Sequence, residues 1–130
     1  MKKSVPRNKE CCRMQELREL QDYLMDKCQI TKPIATTFKS VQCGRASYHT
    51  RKITMPIWIF DYSTEYQWSY MIHEVLHFIL WDKMQYGGHG DVFKNWERNL
   101  LKEFGLSVTY KKAYIKTLNS SYNGDSYKML

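Results

Sequence analysis

The apolar residues near the start of the chain recur at helical spacing. Four of them define the pattern: Met14, Leu17, Leu24 and Met25. A period of about 3.6 residues places such positions on one face of an α-helix, with the charged residues between them on the other face. We therefore predict an amphipathic helix from Glu10 to about Lys27, whose apolar face packs into the core.

Three short segments after Pro33 are rich in β-branched and aromatic residues: Ile34–Val41, Arg45–Tyr48 and Ile53–Phe60. This composition is typical of β-strands, and the polar residues 49–52 predict a hairpin tip between the second and third segments. We therefore predict a small antiparallel sheet. Because Pro56 has no N–H to donate, the Ile53–Phe60 strand is expected at a sheet edge or with a bulge.

A second helix is predicted from Thr64 to Lys83. Thr64 followed by Gln67 matches a capping box at its start. Apolar residues recur along one side of the segment: Ile72, Val75, Leu76 and Ile79. This side is expected to pack against the core, and the glycines Gly87 and Gly88 are expected to end the helix.

A third helix is predicted to begin at Asp91, which can cap it, and to end at Gly105. Its apolar residues are spaced for one face: Phe93, Trp96, Leu100 and Phe104. Together with the preceding segments, this predicts an α+β fold with an N-terminal helix, a small sheet and two consecutive helices.

The length of 130 residues and the 43% hydrophobic content fit one domain. We predict a flexible basic arm over residues 1–9, the domain over 10–116 and a loose polar tail over 117–130. The sequence contains no long apolar run and no apolar segment after its Lys-rich start, so we expect neither a membrane span nor a secretory signal, and a cytoplasmic location.

The chain has four cysteines: Cys11, Cys12, Cys28 and Cys43. Their spacing matches neither a C-x-x-C pair nor a zinc-finger arrangement. Free thiols in a reducing compartment are therefore expected, rather than disulfides or a metal cluster.

The predicted second helix carries the pattern H-E-x-x-H at His73, Glu74 and His77. Side chains four residues apart share a helix face, so the two imidazoles can bind one metal ion. Glu74 projects about 100° away around the axis, which suits a general base acting on a metal-activated water better than a ligand. Zinc-dependent peptide hydrolysis is the usual chemistry of this pattern, and an accidental pair of helix histidines is the alternative.

A catalytic zinc ion needs a third protein ligand and one open position. His89 is the candidate, because it lies on the glycine-rich turn before the third helix, which can fold back on the second. The alternative is an exposed turn residue without a metal. His49, alone on the hairpin tip, fits a solvated residue better than a ligand.

Six residues together read H-E-x-x-H followed by H-G-x-x-F: His73, Glu74, His77, His89, Gly90 and Phe93. This signature resembles that of the SprT-like metalloprotease domain, the family that includes eukaryotic Spartan. Weaker similarity to the family's β-hairpin occurs at Cys43–Tyr48 and Ile53–Phe60, and the likeness spans roughly Glu16 to Tyr114.

The resemblance implies a zincin-like fold with Zn²⁺ bound by His73, His77 and His89, and with Glu74 as the catalytic base. A protein or peptide substrate is implied as well. Many bacterial relatives append a Cys-rich zinc ribbon, and no cysteine follows Cys43. We therefore expect this chain to lack that module.

The net charge of +7 is large for a chain of this length. Basic residues cluster in the arm, at the hairpin tip with Arg51 and Lys52, and in the segment 110–116. This last segment contains Lys111, Lys112 and Lys116, interleaved with Tyr110 and Tyr114. Such clusters favour contacts with nucleic-acid phosphates, and interleaved aromatics suit single strands. A solvated basic surface is the alternative. Tyr110 or Tyr114 is also a candidate for stabilising an oxyanion.

Two functions are compatible with the sequence. The first is a zinc-dependent endopeptidase that cleaves proteins, with DNA-associated proteins as candidate substrates because Spartan-type members cleave these. The second is a nucleic-acid-binding or regulatory module with a structural zinc ion and little hydrolytic activity. Glu74 favours the first, because a structural site has no use for a general base. An exposed sheet edge near the zinc site suits an extended peptide, although a blunted edge is equally compatible.

Overall fold

A computed structural model describes the backbone of residues 5–106 and the side chains of residues 13–106. The elements in chain order are α1 (Val5–Lys27), β1 (Ala35–Lys39), β2 (Arg45–Ser47), β3 (Lys52–Pro56), a 3₁₀ helix (Ile57–Asp61), α2 (Thr64–Met84) and α3 (Asp91–Glu103). The predicted α+β class is confirmed. Helix α1 begins at Val5, ahead of the predicted start at Glu10, and the predicted tail lies outside the described residues.

The three strands form a mixed sheet in the order β1-β3-β2, so the prediction of an antiparallel sheet was wrong. β3 pairs in parallel with β1 and antiparallel with β2. The predicted hairpin is therefore present, but β3 is the central strand and not an edge strand. Pro56 is tolerated there because it is the last residue of β3, opposite Lys39, and the chain continues as the 3₁₀ helix.

Helix α2 is the element against which the others pack: α1, α3, β2, β3 and the 3₁₀ helix all contact it. Every residue from Ser69 to Leu80 is buried. A helix that is enclosed on all sides can be apolar all round, which is why the sequence shows no clean polar face there. The buried polar residues on α2 therefore lie inside the core.

Helix α1 places its predicted apolar face in the core, with Leu17 and Leu24 buried. It is also tied to the first strand by side chains. The Gln21 amide donates to the Ile34 carbonyl at 3.0 Å and accepts from the Thr36 hydroxyl. The prediction of an amphipathic N-terminal helix is therefore confirmed.

The cap at the start of α2 lies one residue before the predicted one. Ser63, and not Thr64, is the N-cap, and its hydroxyl accepts from the Tyr66 N–H at 3.1 Å. Gln67 does not complete a capping box, because its amide donates to the Tyr62 carbonyl at 3.0 Å. The helix ends at Met84, one residue after the predicted end at Lys83, and Gln85 adopts the left-handed conformation that ends it (φ 52°).

Helix α3 begins at Asp91, but Gly90 is its N-cap and the cap has no side-chain hydrogen bond. Its end is as predicted. Gly105 has φ 70°, its N–H donates to the Lys102 carbonyl at 3.0 Å, and the Leu106 N–H donates to the Leu101 carbonyl at 2.8 Å. This pair of bonds is a Schellman motif, in which glycine supplies the left-handed residue.

The hairpin tip is fastened to α2 by a bidentate ion pair. The Arg51 guanidinium donates to the Asp82 carboxylate at 2.7 and 2.9 Å and lies 5.2 Å from the centre of the Phe78 ring. One of the basic residues proposed to contact nucleic acid is therefore engaged with an acidic partner.

Between residues 5 and 106, no helix combines the length and apolar character needed to cross a membrane. Cys28 and Cys43 are free thiols, as predicted. The side chains of Cys11 and Cys12 lie outside those described.

The Ser63 cap gives a stability prediction. Ser63→Ala removes the acceptor of the Tyr66 N–H and should lower the free energy of unfolding by about 1 kcal/mol. Thr64→Ala is the matched control and should change it by less than about 0.5 kcal/mol, because Thr64 is exposed and is not the cap. Urea denaturation of the two variants measures the difference. A larger loss for Thr64→Ala would contradict this cap assignment.

Candidate metal centre

Three imidazoles meet where α2 and α3 face each other. His73 and His77 lie one turn apart on α2 and are buried, whereas His89 is exposed on the connecting loop, residues 85–90. The Nε2 atom of His89 lies 3.1 Å from Nε2 of His73 and 3.0 Å from Nε2 of His77. The structure therefore brings together the three histidines that the sequence suggested as ligands.

The spacing of these nitrogens fits a small metal ion. A tetrahedral ion about 2.0–2.1 Å from each nitrogen keeps its ligand atoms about 3.3 Å apart, within a few tenths of an ångström of the observed separations. No fourth His, Cys, Asp or Glu joins the group within the part of the chain that the structure describes. An ion held here would keep at least one position open to water or substrate.

Phe93 forms the floor of the site. Its ring centre lies 4.7 Å from that of His73, 4.8 Å from that of His77 and 4.9 Å from that of His89, and the side chain is 1% exposed. Because Phe93 is in the first turn of α3, its packing against all three imidazoles sets the distance between α3 and α2. This explains why an aromatic residue follows His89 at that spacing.

The loop that carries His89 is held by Tyr86, which the sequence analysis did not single out. The Tyr86 hydroxyl accepts from the Gly90 N–H at 2.7 Å. A Cβ atom at Gly90 would lie 2.5 Å from the same oxygen, so any larger residue would displace it. Glycine after His89 therefore allows the Tyr86 hydroxyl to stay within hydrogen-bond distance of the loop.

The outer nitrogens of the two buried histidines also have partners. His73 Nδ1 lies 2.8 Å from Glu97 Oε2, and His77 Nδ1 lies 3.3 Å from the Tyr48 hydroxyl, whose ring stacks on Trp81 at 4.5 Å. An Nδ1–H that donates to such a partner leaves Nε2 free to bind a metal.

The sequence analysis missed both of these partners. The signal for Glu97 was a carboxylate four residues after Phe93, on the apolar side of α3 that also carries Leu100 and Leu101. Tyr48 gave no such signal, because its position depends on how the β2–β3 hairpin packs against α2.

Glu74 is buried beside the end of the loop that precedes β2. A Cβ atom at Gly44 would lie 3.0 Å from Glu74 Oε2 and 2.7 Å from the Tyr70 ring, and the Gly44 N–H donates to the Tyr70 hydroxyl at 2.7 Å. Burial, and secondly the charge of Glu97, raises the pKa of Glu74 to about 8. A nearby cation would lower this pKa again and favour the carboxylate.

Burial in the site also shifts the pKa values of His77 and Tyr48. Burial lowers the pKa of His77 to about 3, and the neighbouring His73 and His89 add to this effect. His77 is therefore a neutral imidazole, the form that binds metals. Burial, followed by the Glu74 charge, raises the pKa of the Tyr48 hydroxyl.

The remaining candidates from the sequence fall into two groups. His49 is exposed and lies outside the three-histidine group, as expected for a solvated residue. Tyr110, Tyr114 and the neighbouring lysines lie outside the described residues, so their suggested roles stay predictions.

Comparison of the chain with models of protein families, with curated proteins and with solved structures found no match. The likeness to the SprT-like domain therefore rests on six motif residues and on the geometry in which the histidines meet.

The geometry predicts one bound divalent metal ion per chain. His89→Ala removes one of the three converging nitrogens and should weaken zinc binding by about a hundredfold or more, beyond the 10–100-fold typical of losing an outer hydrogen-bond partner. Competition with a chromophoric chelator measures this affinity. His49→Ala is the matched control and should bind zinc like the wild type. Equal affinity of the His89→Ala protein would remove His89 from the ligand set.

Proposed function

We propose that this protein is a zinc-dependent endopeptidase of the SprT-like type, with His73, His77 and His89 as ligands and Glu74 as general base. The observation that carries the proposal is the convergence of three Nε2 atoms beside a buried carboxylate. The order of the motif residues along the chain supports the same conclusion.

Zinc is proposed because three imidazoles with an open position are a typical catalytic zinc site. A structural zinc site is closed by four protein ligands, and only three such side chains converge among residues 13–106. This favours the enzyme over the alternative, a nucleic-acid-binding or regulatory module with a structural zinc ion.

In the proposed hydrolysis, a bound zinc ion and Glu74 would have different roles. Zinc in such a site supplies Lewis acidity, which polarises the scissile carbonyl and makes water more acidic. Glu74 accepts the proton from the attacking water and transfers it to the leaving amine. Its burial keeps the carboxyl group away from bulk solvent, and Gly44 lets the loop before β2 approach it closely.

The outer edge of β2 is the proposed docking place for substrate. Within residues 5–106, β2 pairs in the sheet with β3 only, so we propose that an extended peptide pairs with the other edge of β2. The close approach of Gly44, directly before β2, to Tyr70 and Glu74 supports this proposal. The proposed docking edge therefore belongs to β2 and not to the Ile53–Phe60 strand, which was predicted from the sequence to lie at the sheet edge.

DNA-associated proteins are the proposed class of substrate. The net charge of +7 and the family likeness support this idea. At the hairpin tip, Arg51 is paired with Asp82, whereas Lys52 is exposed. The segment 110–116 and the side chains of the arm lie outside the described residues.

The role of Glu74 is tested by Glu74→Gln. The amide has nearly the same size but cannot accept the proton, so hydrolysis of an unfolded protein such as casein should fall about 10²–10⁴-fold. The zinc content of the purified variant should equal that of the wild type. If the zinc-loaded Glu74→Gln protein hydrolyses casein as fast as the wild type, Glu74 is excluded as the base.

The close approach at Gly44 gives a second test. Gly44→Ala should displace Tyr70 or Glu74, and a shift of about 1 Å can cost about 10²-fold in rate. Gly87→Ala is the matched control, because its Cβ would meet no atom closer than 3.6 Å. Both variants should retain zinc. Equal rates of casein hydrolysis for the two variants would contradict the proposed position of the general base.

A further inference from the structure

The inference concerns Glu97, a buried carboxylate on α3 that the motif does not include. We propose that Glu97 is a positioning residue of the metal centre, which fixes the ring of His73 and supplies negative charge next to the cation. The inference rests on the proposed function, because it requires a metal ion at the three histidines.

The geometry is that of an outer partner of a metal ligand. Glu97 Oε2 lies 2.8 Å from His73 Nδ1, on the opposite side of the ring from the Nε2 atom that faces His89. Glu97 follows Phe93 by four residues, so both project from the same face of α3 toward α2. One helix therefore supplies both the floor of the site and the partner of its first ligand.

The hydrogen bond selects the state of His73 that can bind a metal. An ionised carboxylate accepts hydrogen bonds but has no hydrogen to donate. It therefore stabilises the His73 tautomer that has its hydrogen on Nδ1 and its lone pair on Nε2. It also increases the electron density on the ring and stops its rotation, both of which strengthen metal binding.

The two buried histidines differ in the group that lies next to Nδ1. The outer partner of His77 is the hydroxyl of Tyr48, a neutral group at a longer distance of 3.3 Å. Charge-assisted hydrogen bonds are shorter and stronger than neutral ones. His73 is therefore the more firmly oriented ligand, and its partner contributes charge as well as orientation.

The burial of Glu97 supports the proposal that a cation lies close to its carboxylate. Glu97 is 4% exposed, on a face of α3 that otherwise buries Phe93, Leu100 and Leu101. A carboxylate in such surroundings reduces stability unless a positive charge lies nearby. A divalent ion bound by the three histidines would supply that positive charge.

A purely structural role is the competing explanation. In that case the Glu97–His73 contact would serve to hold α3 on α2, whether or not a metal ion is bound. The two explanations differ in what they predict for the protein without metal, and this difference defines the experiment.

The experiment compares Glu97→Gln with Glu103→Gln in full-length protein. Gln at position 97 keeps the size and an acceptor oxygen but removes the charge. Glu103 lies on the same helix, half exposed, and pairs with Lys27 at 2.6 Å. Zinc affinity is measured by chelator competition, and thermal melting is recorded with and without zinc.

We expect Glu97→Gln to weaken zinc binding about 10–100-fold and to reduce the increase in melting temperature that zinc produces. Its melting temperature without zinc should not fall. Glu103→Gln should bind zinc like the wild type. Unchanged zinc affinity of Glu97→Gln, or an equal loss of melting temperature with and without zinc, would overturn the inference in favour of the structural role.

A measurement on the wild type completes the test. Long-range ¹H–¹⁵N correlation spectra of the zinc-loaded protein should show the His73 proton on Nδ1, and a proton on Nε2 would overturn the inference even if Glu97→Gln does not fold. If the wild type binds no zinc, the proposed function fails together with the inference. If it binds zinc and Glu97→Gln binds it equally well, the inference alone fails.

Discussion

The structure depends on the contact between α2 and α3 through Phe93. His73 and His77 lie on one helix and can face the same metal ion. Nε2 of His89 reaches that position only because the chain reverses direction within residues 85–90. Phe93 makes this reversal favourable, because its ring is buried against all three imidazoles. The sheet and α1 cover the remaining sides of α2.

The parts of the fold that the sequence predicted are those decided by local geometry. Spacing of four residues on a helix places His73 beside His77 whatever surrounds them, and a glycine with positive φ ends α3 as expected. The order of the strands is not local. Parallel pairing of β1 with β3 depends on how both strands pack, and side chains alternate between the two faces of a strand in either arrangement.

The partners of the two buried histidines were missed for the same reason, although the spacing of Glu97 from Phe93 indicated a place on the buried face of α3. Glu97 is 24 positions from His73 and Tyr48 is 29 positions from His77, so their contacts exist only in the folded chain. The helix cap was missed for a different reason. Ser63 and Thr64 are both good caps, and the choice between them depends on backbone geometry that the sequence does not specify.

The enclosure of α2 has a consequence for attempts to copy the site. A helix whose residues from Ser69 to Leu80 are all covered by the rest of the protein would, as a synthetic peptide, present apolar surface to water on every side. Such a peptide would self-associate rather than display two imidazoles in solution. The arrangement of the three histidines therefore depends on the folded protein and not on the five-residue motif alone.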